Sequence, residues 1–302
     1  MRVAVFGGTG LVGAAIVKLL VQQGHDVISI SRSGKSNVAR SINLDIVESD
    51  NFSRIDFVPD VVINCASMIP QRGKTSTDPS FVEMMQKVNV VGALNIANWA
   101  VAQKAGKIIN YSTLVTVKKP WPAPLLESYA STPDGFHVAY SMSKLSQEQL
   151  MTQAVNGTGT SIVHLRLGAV YGNEMTRDGI LFSLFDQLST NELVKLTNGN
   201  KVSFDFIHTQ DIAAITALIM DSGISSGIYN CGSSEETYLY PLAKLVKEIT
   251  QSKSTIDNVD ELENENRASI DISKLLNAIN LNASELTSLK TGLTQLFNIK
   301  SA

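Results

Sequence analysis

The chain has 302 residues, 44% of them apolar and 18% charged, a profile that fits a packed globular protein and excludes a fibrous or disordered one. A net charge of −3, with no basic stripe and no polybasic cluster, argues against nucleic acid and against an anionic membrane surface as partners. The opening run Met1–Phe6 is too short for a signal-peptide core, and no later run approaches a membrane span. Cys65 and Cys231 show neither metal nor redox spacing. The expected compartment is therefore the reducing cytoplasm, and no metal is expected.

Taken in chain order, Arg2–Phe6 reads as a strand, followed at once by Gly7-Gly8-Thr9-Gly10-Leu11-Val12-Gly13 and a helix over Leu11–Gln23. Further strands are expected at Val27–Ser31, Val61–Ala66, Lys107–Ser112 and Ile162–Leu167, with helices over Phe81–Gln103 and Tyr140–Val155. The strands are apolar on both alternating faces, as parallel strands covered on both sides must be. After Gly172 the pieces shorten; Phe204–Met220 reads as a strand and a helix, and the tail from Leu239 as mainly helical. The acidic stretch Asp257–Glu265 is read as solvated surface. The expected fold is α/β, a doubly wound parallel-sheet Rossmann fold over residues 1–170 with segment 204–232 returning to it. A smaller, partly interleaved substrate-binding domain is expected over 171–302.

The glycines satisfy both G-x-x-G-x-x-G and G-x-G-x-x-G. A turn before a helix needs glycine in any case. Between a first strand and a first helix, however, the spacing points to a dinucleotide, whose pyrophosphate meets helix amides at close backbone approach. The next strand ends Ser31-Arg32-Ser33, where an acid would select NAD through the ribose 2′-hydroxyl. Arg32 suits a 2′-phosphate instead, so NADP is expected ahead of NAD; the plain alternative is an exposed loop arginine.

Tyr140 and Lys144 lie four apart on a helix and so share one face. A phenol titrates near 10, so proton transfer near neutrality calls for a lower value, and a nearby lysine cation favours phenolate. The same spacing also occurs on plain solvated helix faces. The glycine loop and the strand ending Tyr111-Ser112-Thr113 favour the chemical reading.

With those residues in place the chain resembles the extended branch of the short-chain dehydrogenase/reductase superfamily, the NAD-dependent epimerase/dehydratase proteins. The resemblance rests on GGTGLVG at Gly7–Gly13, Asp45 in NLDI, NCAS at Asn64–Ser67 and VNVVG at Val88–Gly92. It continues through YST at Tyr111–Thr113, YSMSK at Tyr140–Lys144, RLGAVYG at Arg166–Gly172, DFIHTQD at Asp205–Asp211 and GIYNCGS at Gly227–Ser233. It implies that Asp45 holds the adenine amino group and that Asn89 steadies the active-site helix. It implies that Lys144 grips the nicotinamide ribose, that Tyr140 moves the proton, and that Thr113 hydrogen-bonds the reacting oxygen. Gly7, Thr9, Gly10, Leu11, Val12, Gly13, Ile46, Cys65, Ala66, Ser67, Leu167 and Val170 complete the expected coenzyme contacts, and Met68 joins Thr113 towards substrate. A homodimer through the Phe81–Gln103 and Tyr140–Val155 helices is also implied.

Leu114 and Val115 follow the catalytic threonine, where 4,6-dehydratases carry acids, and neither transfers a proton. Ketoreduction, alcohol oxidation and epimerisation of a sugar, nucleotide-linked, remain. Phe204 stands where related enzymes carry a pyrophosphate-binding arginine, and the Leu167–Val170 stretch lacks their asparagine. Arg177 or Arg267 is the expected replacement. The alternatives are an NADP-dependent reductase of a non-sugar carbonyl compound and a non-catalytic NADP-sensing protein.

Overall fold

The computed structural model describes residues 1–301 apart from Arg72, Phe136 and Asp178, with the side chains of 299–301 left aside. Contacts divide the chain into two units: 1–119, 129–167 and 212–229 form the first, and 120–128, 168–211 and 230–302 the second.

In the first unit, β1 (Arg2–Phe6) is buried from Val3 onward, because a central strand covered on both faces has no position left for a polar side chain. Helix α1 (Leu11–Gln22) returns the chain to β2 (Asp26–Ser31) and then β3 (Arg40–Asn43). Strand β4 (Val61–Asn64) leads through α2 (Pro79–Gln86), a π-helical turn at Lys87–Gly92 and α3 (Ala93–Ala102) into β5 (Lys107–Thr113). Helix α4 (Val138–Val155) precedes β6 (Ser161–Leu167). The pairings from β3 to β6 are all parallel. With β10, introduced below, the sheet order is β10-β6-β5-β4-β1-β2-β3, the doubly wound arrangement expected from the sequence. Its order reverses between β1 and β4, where open α/β sheets hold their ligands. One face of the sheet is covered by a cluster in which Phe6 stacks on Phe52 and meets Trp99 edge-on, ring centroids 5.7 and 5.5 Å apart.

The second unit begins its sheets with β7 (Ala169–Tyr171), followed by α5 (Gly179–Ser189), β8 (Val194–Thr197) and β9 (Ser203–His208). Helix α6 (Thr209–Asp221) and β10 (Gly227–Cys231) run across the division. The remainder comprises β11 (Glu236–Tyr238), α7 (Leu239–Ile249), β12 (Ile256–Val259), α8 (Ser273–Ile279) and α9 (Leu289–Ser301). Strands β11-β9-β7 form one small sheet and β12-β8 another. Tyr171, Phe182, Leu242, Leu293 and Phe297 centre the core of this unit.

Three expectations need correction. The helix expected over Phe81–Gln103 is interrupted by the π-helical turn, and the strand expected over Val61–Ala66 stops at Asn64, freeing Cys65–Ser67 for a loop. The acidic stretch is not merely solvated: β12 pairs with β8, Asp257 opposite Lys195, and Asn258 accepts from the Gly199 amide at 2.7 Å. Among the described residues no helix is long and apolar enough to cross a membrane.

Candidate active site

A cavity of about 550 Å³ opens at the carboxyl ends of β1, β2 and β4. Gly7, Thr9 and Gly10 line one side, Arg32, Asp45 and Ile46 another, and Cys65, Ala66 and Ser67 a third. Ile30, Ser31, Ser33, Leu44 and Val88 line it too and were not singled out from the sequence. Their signal was available: each sits at a strand end or beside a residue already named.

The turn after β1 closes only with glycine at two positions. Gly7 has φ +75°, and a Cβ there would lie 2.6 Å from the Ala66 nitrogen. A Cβ on Gly13 would collide with the Gly7 carbonyl oxygen. Helix α1 starts from Gly10 with no side-chain cap, so the amides of its first turn, at Leu11 and Val12, have no side chain bonded over them. An uncapped helix end beside a glycine cradle fits a pyrophosphate. At the other end Ser31, Arg32 and Ser33 face the cavity; the Ser31 and Ser33 hydroxyls are 3.1 Å apart, and Ser33 donates to the Thr9 hydroxyl at 3.4 Å. Asp45 is fixed by the Val47 amide at 3.1 Å, and Asn95 ties down the carbonyls of Ile46 and Val47. The residues present thus fit a nicotinamide dinucleotide, which supplies the hydride acceptor or donor when bound.

Helix α4 turns an unusually polar face to the sheet. Ser143, Lys144, Gln147 and Glu148 are all buried. Each has a partner. Asn89, placed by the π-helical turn, donates to Ser143 at 3.0 Å while clamping the backbone of Met68 with bonds of 2.7 and 2.9 Å. Gln147 donates to the Asn89 carbonyl at 3.0 Å. Lys144 donates to the Tyr111 carbonyl at 2.7 Å, and Glu148 takes a forked ion pair from Arg166 at 2.9 and 2.7 Å. Tyr140, half-buried, rests on the small cluster of Phe81, Met85, Ala139 and Met68. Thr113 and Ser67 are the hydroxyl side chains that act on its phenol. Thr113 ends β5 opposite Leu167, the last residue of β6.

Three electrostatic effects follow from enclosure. Burial pushes Tyr140 up to about 12, and Thr113 and Ser67 only partly oppose it. The direction is upward, with the lysine moored on Tyr111, so the phenol keeps its proton and is a proton donor. Burial also brings Lys144 down to about 7, against the attraction of Glu148. The Cys65 thiol is pushed up by burial and stays neutral.

The remaining expected residues lie in the second unit. Val170 pairs with Ile207 in the small sheet. Arg177 forms an ion pair with Asp186 and lies over the Phe182 and Phe185 rings. Arg267 is forked onto Glu236, its Nε 3.1 Å from one carboxylate oxygen, and Glu236 also accepts from Ser203 at 2.7 Å. Both arginines are thus already engaged. Among the described residues no group of His, Cys, Asp and Glu could hold a metal ion.

The NAD dependent epimerase/dehydratase family matches residues 3–232. The chain belongs to that family, within the extended short-chain dehydrogenases/reductases. Among curated proteins it is similar to the ADP-L-glycero-D-manno-heptose-6-epimerase of Brachyspira hyodysenteriae, 26% identical over 83% of this chain and 82% of the relative. It is also similar to UDP-glucuronic acid decarboxylase 1 of Danio rerio, 24% identical over 87% of this chain and 64% of that protein. Among solved structures, the UDP-glucose 4-epimerase of Thermotoga maritima superposes over the whole of both chains with a TM-score of 0.82 at 21% identity.

Proposed function

We propose that this family member transfers hydride between a nicotinamide coenzyme and a carbinol or ketone carbon of a sugar, nucleotide-linked, as a 4-ketoreductase or epimerase and not as a dehydratase. The observation that carries the reading is Lys144, buried one helical turn after Tyr140 on α4 and bonded at 2.7 Å to Tyr111 of the strand that ends in Thr113. In it Tyr140 gives or takes the proton of the reacting oxygen and Thr113 orients that oxygen. Lys144 holds the ribose, and Asn89 keeps α4 in place. Leu114 and Val115 give no acid or base for elimination of water.

Arg32, flanked by Ser31 and Ser33, supports NADP ahead of NAD, since no carboxylate ends β2 to receive a ribose 2′-hydroxyl. Exposed Met84, Val91, Met142 and Leu150 on α2, the π-helical turn and α4 support a homodimer packed through these helices. The unpaired thiols of Cys65 and Cys231 suit the cytoplasm.

A second reading, reduction of a non-sugar carbonyl compound, is favoured by one observation: Arg177 and Arg267 already hold carboxylates and offer little charge to a diphosphate. Incubation with NADP or NAD, each in its oxidised and its reduced form, and a panel of nucleotide-linked sugars, their keto forms, a UDP-hexuronic acid and simple ketones tests both. Coenzyme oxidation or epimer formation confined to nucleotide sugars supports the first reading. Turnover of simple ketones alone replaces it with the second, and loss of carbon dioxide from the hexuronate replaces it with a decarboxylase.

A further inference from the structure

The Lys144 ammonium is buried, 2% exposed, with a backbone carbonyl as its hydrogen-bond acceptor. A cation so placed keeps its proton only if the surroundings supply negative charge. Several groups face it. Cys65 approaches from the loop after β4 and is a neutral thiol, because burial pushes it up. From β6 comes His164, held down at about 4 by burial and hence neutral; its Nδ1 is 2.9 Å from the Asn110 amide and its Nε2 2.9 Å from the Thr152 hydroxyl. Tyr140, on the same helix, keeps its proton. Among the described residues the carboxylate that acts on it is Glu148, a turn along α4, which is paired in turn with Arg166 on β6; the two side chains are each 3% exposed.

We propose that the Glu148–Arg166 ion pair is a positioning device that sets the charge of Lys144: Glu148 keeps the lysine protonated, and Arg166 limits how strongly it does so. The geometry supports each half. Glu148 supplies the largest attraction acting on the Lys144 ammonium. Its two oxygens are both clasped by Arg166, at 2.9 and 2.7 Å, and Arg166 is itself steadied by the Ser131 hydroxyl at 2.8 Å. A guanidinium forked onto the carboxylate offsets part of that carboxylate's field at the lysine. Burial has already brought the lysine down to about 7, so a small change in the pair moves its charge near neutrality. If the pair served only to pin α4 to β6, loss of either partner would disturb Lys144 in the same sense. If it sets charge, the two losses act with opposite sign.

The test is a nuclear magnetic resonance titration of Lys144 in the unliganded full chain, using isotope-labelled lysine and assigning the resonance by its absence in Lys144→Arg. In Glu148→Gln an unopposed guanidinium remains, and the Lys144 midpoint should fall by roughly one pH unit or more. In Arg166→Met an unopposed carboxylate remains, and the midpoint should rise by a similar amount. Breaking a buried pair is strongly destabilising, so the double variant Glu148→Gln/Arg166→Met is the second arm, since removing both charges together is far better tolerated. Glu148 acts on Lys144 from one turn along the same helix and Arg166 is not among the main charges acting on it, so the double variant should show a fall smaller than that of Glu148→Gln. Midpoints moving the same way in the two single variants, or unchanged or raised in the double variant, would overturn the inference. From the proposed function it takes only that Lys144 acts as a cation. The titration needs neither coenzyme nor substrate, so its failure is distinguishable from failure of turnover.

Discussion

Lys144 of α4 donates to the backbone carbonyl of Tyr111 on β5, 2.7 Å away, and not to Tyr140, its neighbour one turn earlier on the helix. The strand that carries Thr113 therefore also holds the lysine. With burial bringing the ammonium down to about 7, its charge is in play at neutral pH. Raising the pH through that value removes a proton and a hydrogen-bond donor, so coenzyme affinity should weaken on the alkaline side.

Calorimetric titration of coenzyme across a pH series should show that decline in the wild-type protein and a flat dependence in Lys144→Met. At acid pH the variant should bind about tenfold more weakly or worse, the loss expected for charged hydrogen bonds. A wild-type affinity independent of pH would contradict the role given to the lysine.

Replacing Arg32 by alanine should weaken NADP about tenfold or more and leave NAD within a few-fold, because only the 2′-phosphate loses a charged partner. Added salt should weaken NADP binding more in the wild type than in Arg32→Ala. An unchanged NADP-to-NAD ratio would remove the argument for NADP.

The glycine loop, the parallel sheet and the Tyr140–Lys144 spacing were legible because each is written in local sequence. The surroundings of Tyr140 and Lys144 were not. Their shifts come from burial, which Thr113 and Ser67 oppose at Tyr140 and Glu148 opposes at Lys144, and burial is set by the tertiary fold. The inner face of α4 was hard to read for a related reason: Ser143, Gln147 and Glu148 look like a solvent face until their partners Asn89 and Arg166 are in place. The π-helical turn that seats Asn89 breaks the helical period by one residue, which apolar spacing over Phe81–Gln103 does not reveal. Strand β12 escaped notice because its pairing with β8 is set by backbone and by Asn258, not by an apolar alternation.

His164 should make stability depend on acid. It is buried and held down at about 4 in the folded protein, against 6.5 ordinarily, so the unfolded chain binds the proton more tightly. Its contribution is full above 6.5 and is lost as pH falls towards 4, a loss on the order of 3 kcal/mol. Asp205, raised to about 6 by burial, acts with the opposite sign in the same window, so the comparison must be between variants. Urea unfolding from neutral to acid pH should fall less steeply in His164→Gln than in the wild type. Parallel curves would exclude the histidine as the cause.

Gly13→Ala places a methyl against the Gly7 carbonyl oxygen and should distort the pyrophosphate cradle. Coenzyme affinity should drop by about tenfold or more, an effect readable by fluorescence titration. Wild-type affinity in this variant would separate the loop from coenzyme binding.

The most direct measurement compares Tyr140→Phe with the wild type for coenzyme affinity and for turnover of whichever sugar the panel identifies. Turnover should fall by about 10²–10⁴-fold while the coenzyme dissociation constant stays within a few-fold, since the ring still packs on Phe81 and Met85 and only the proton path is removed. A variant that keeps most of its turnover would contradict the assignment of Tyr140 as the proton-transfer residue.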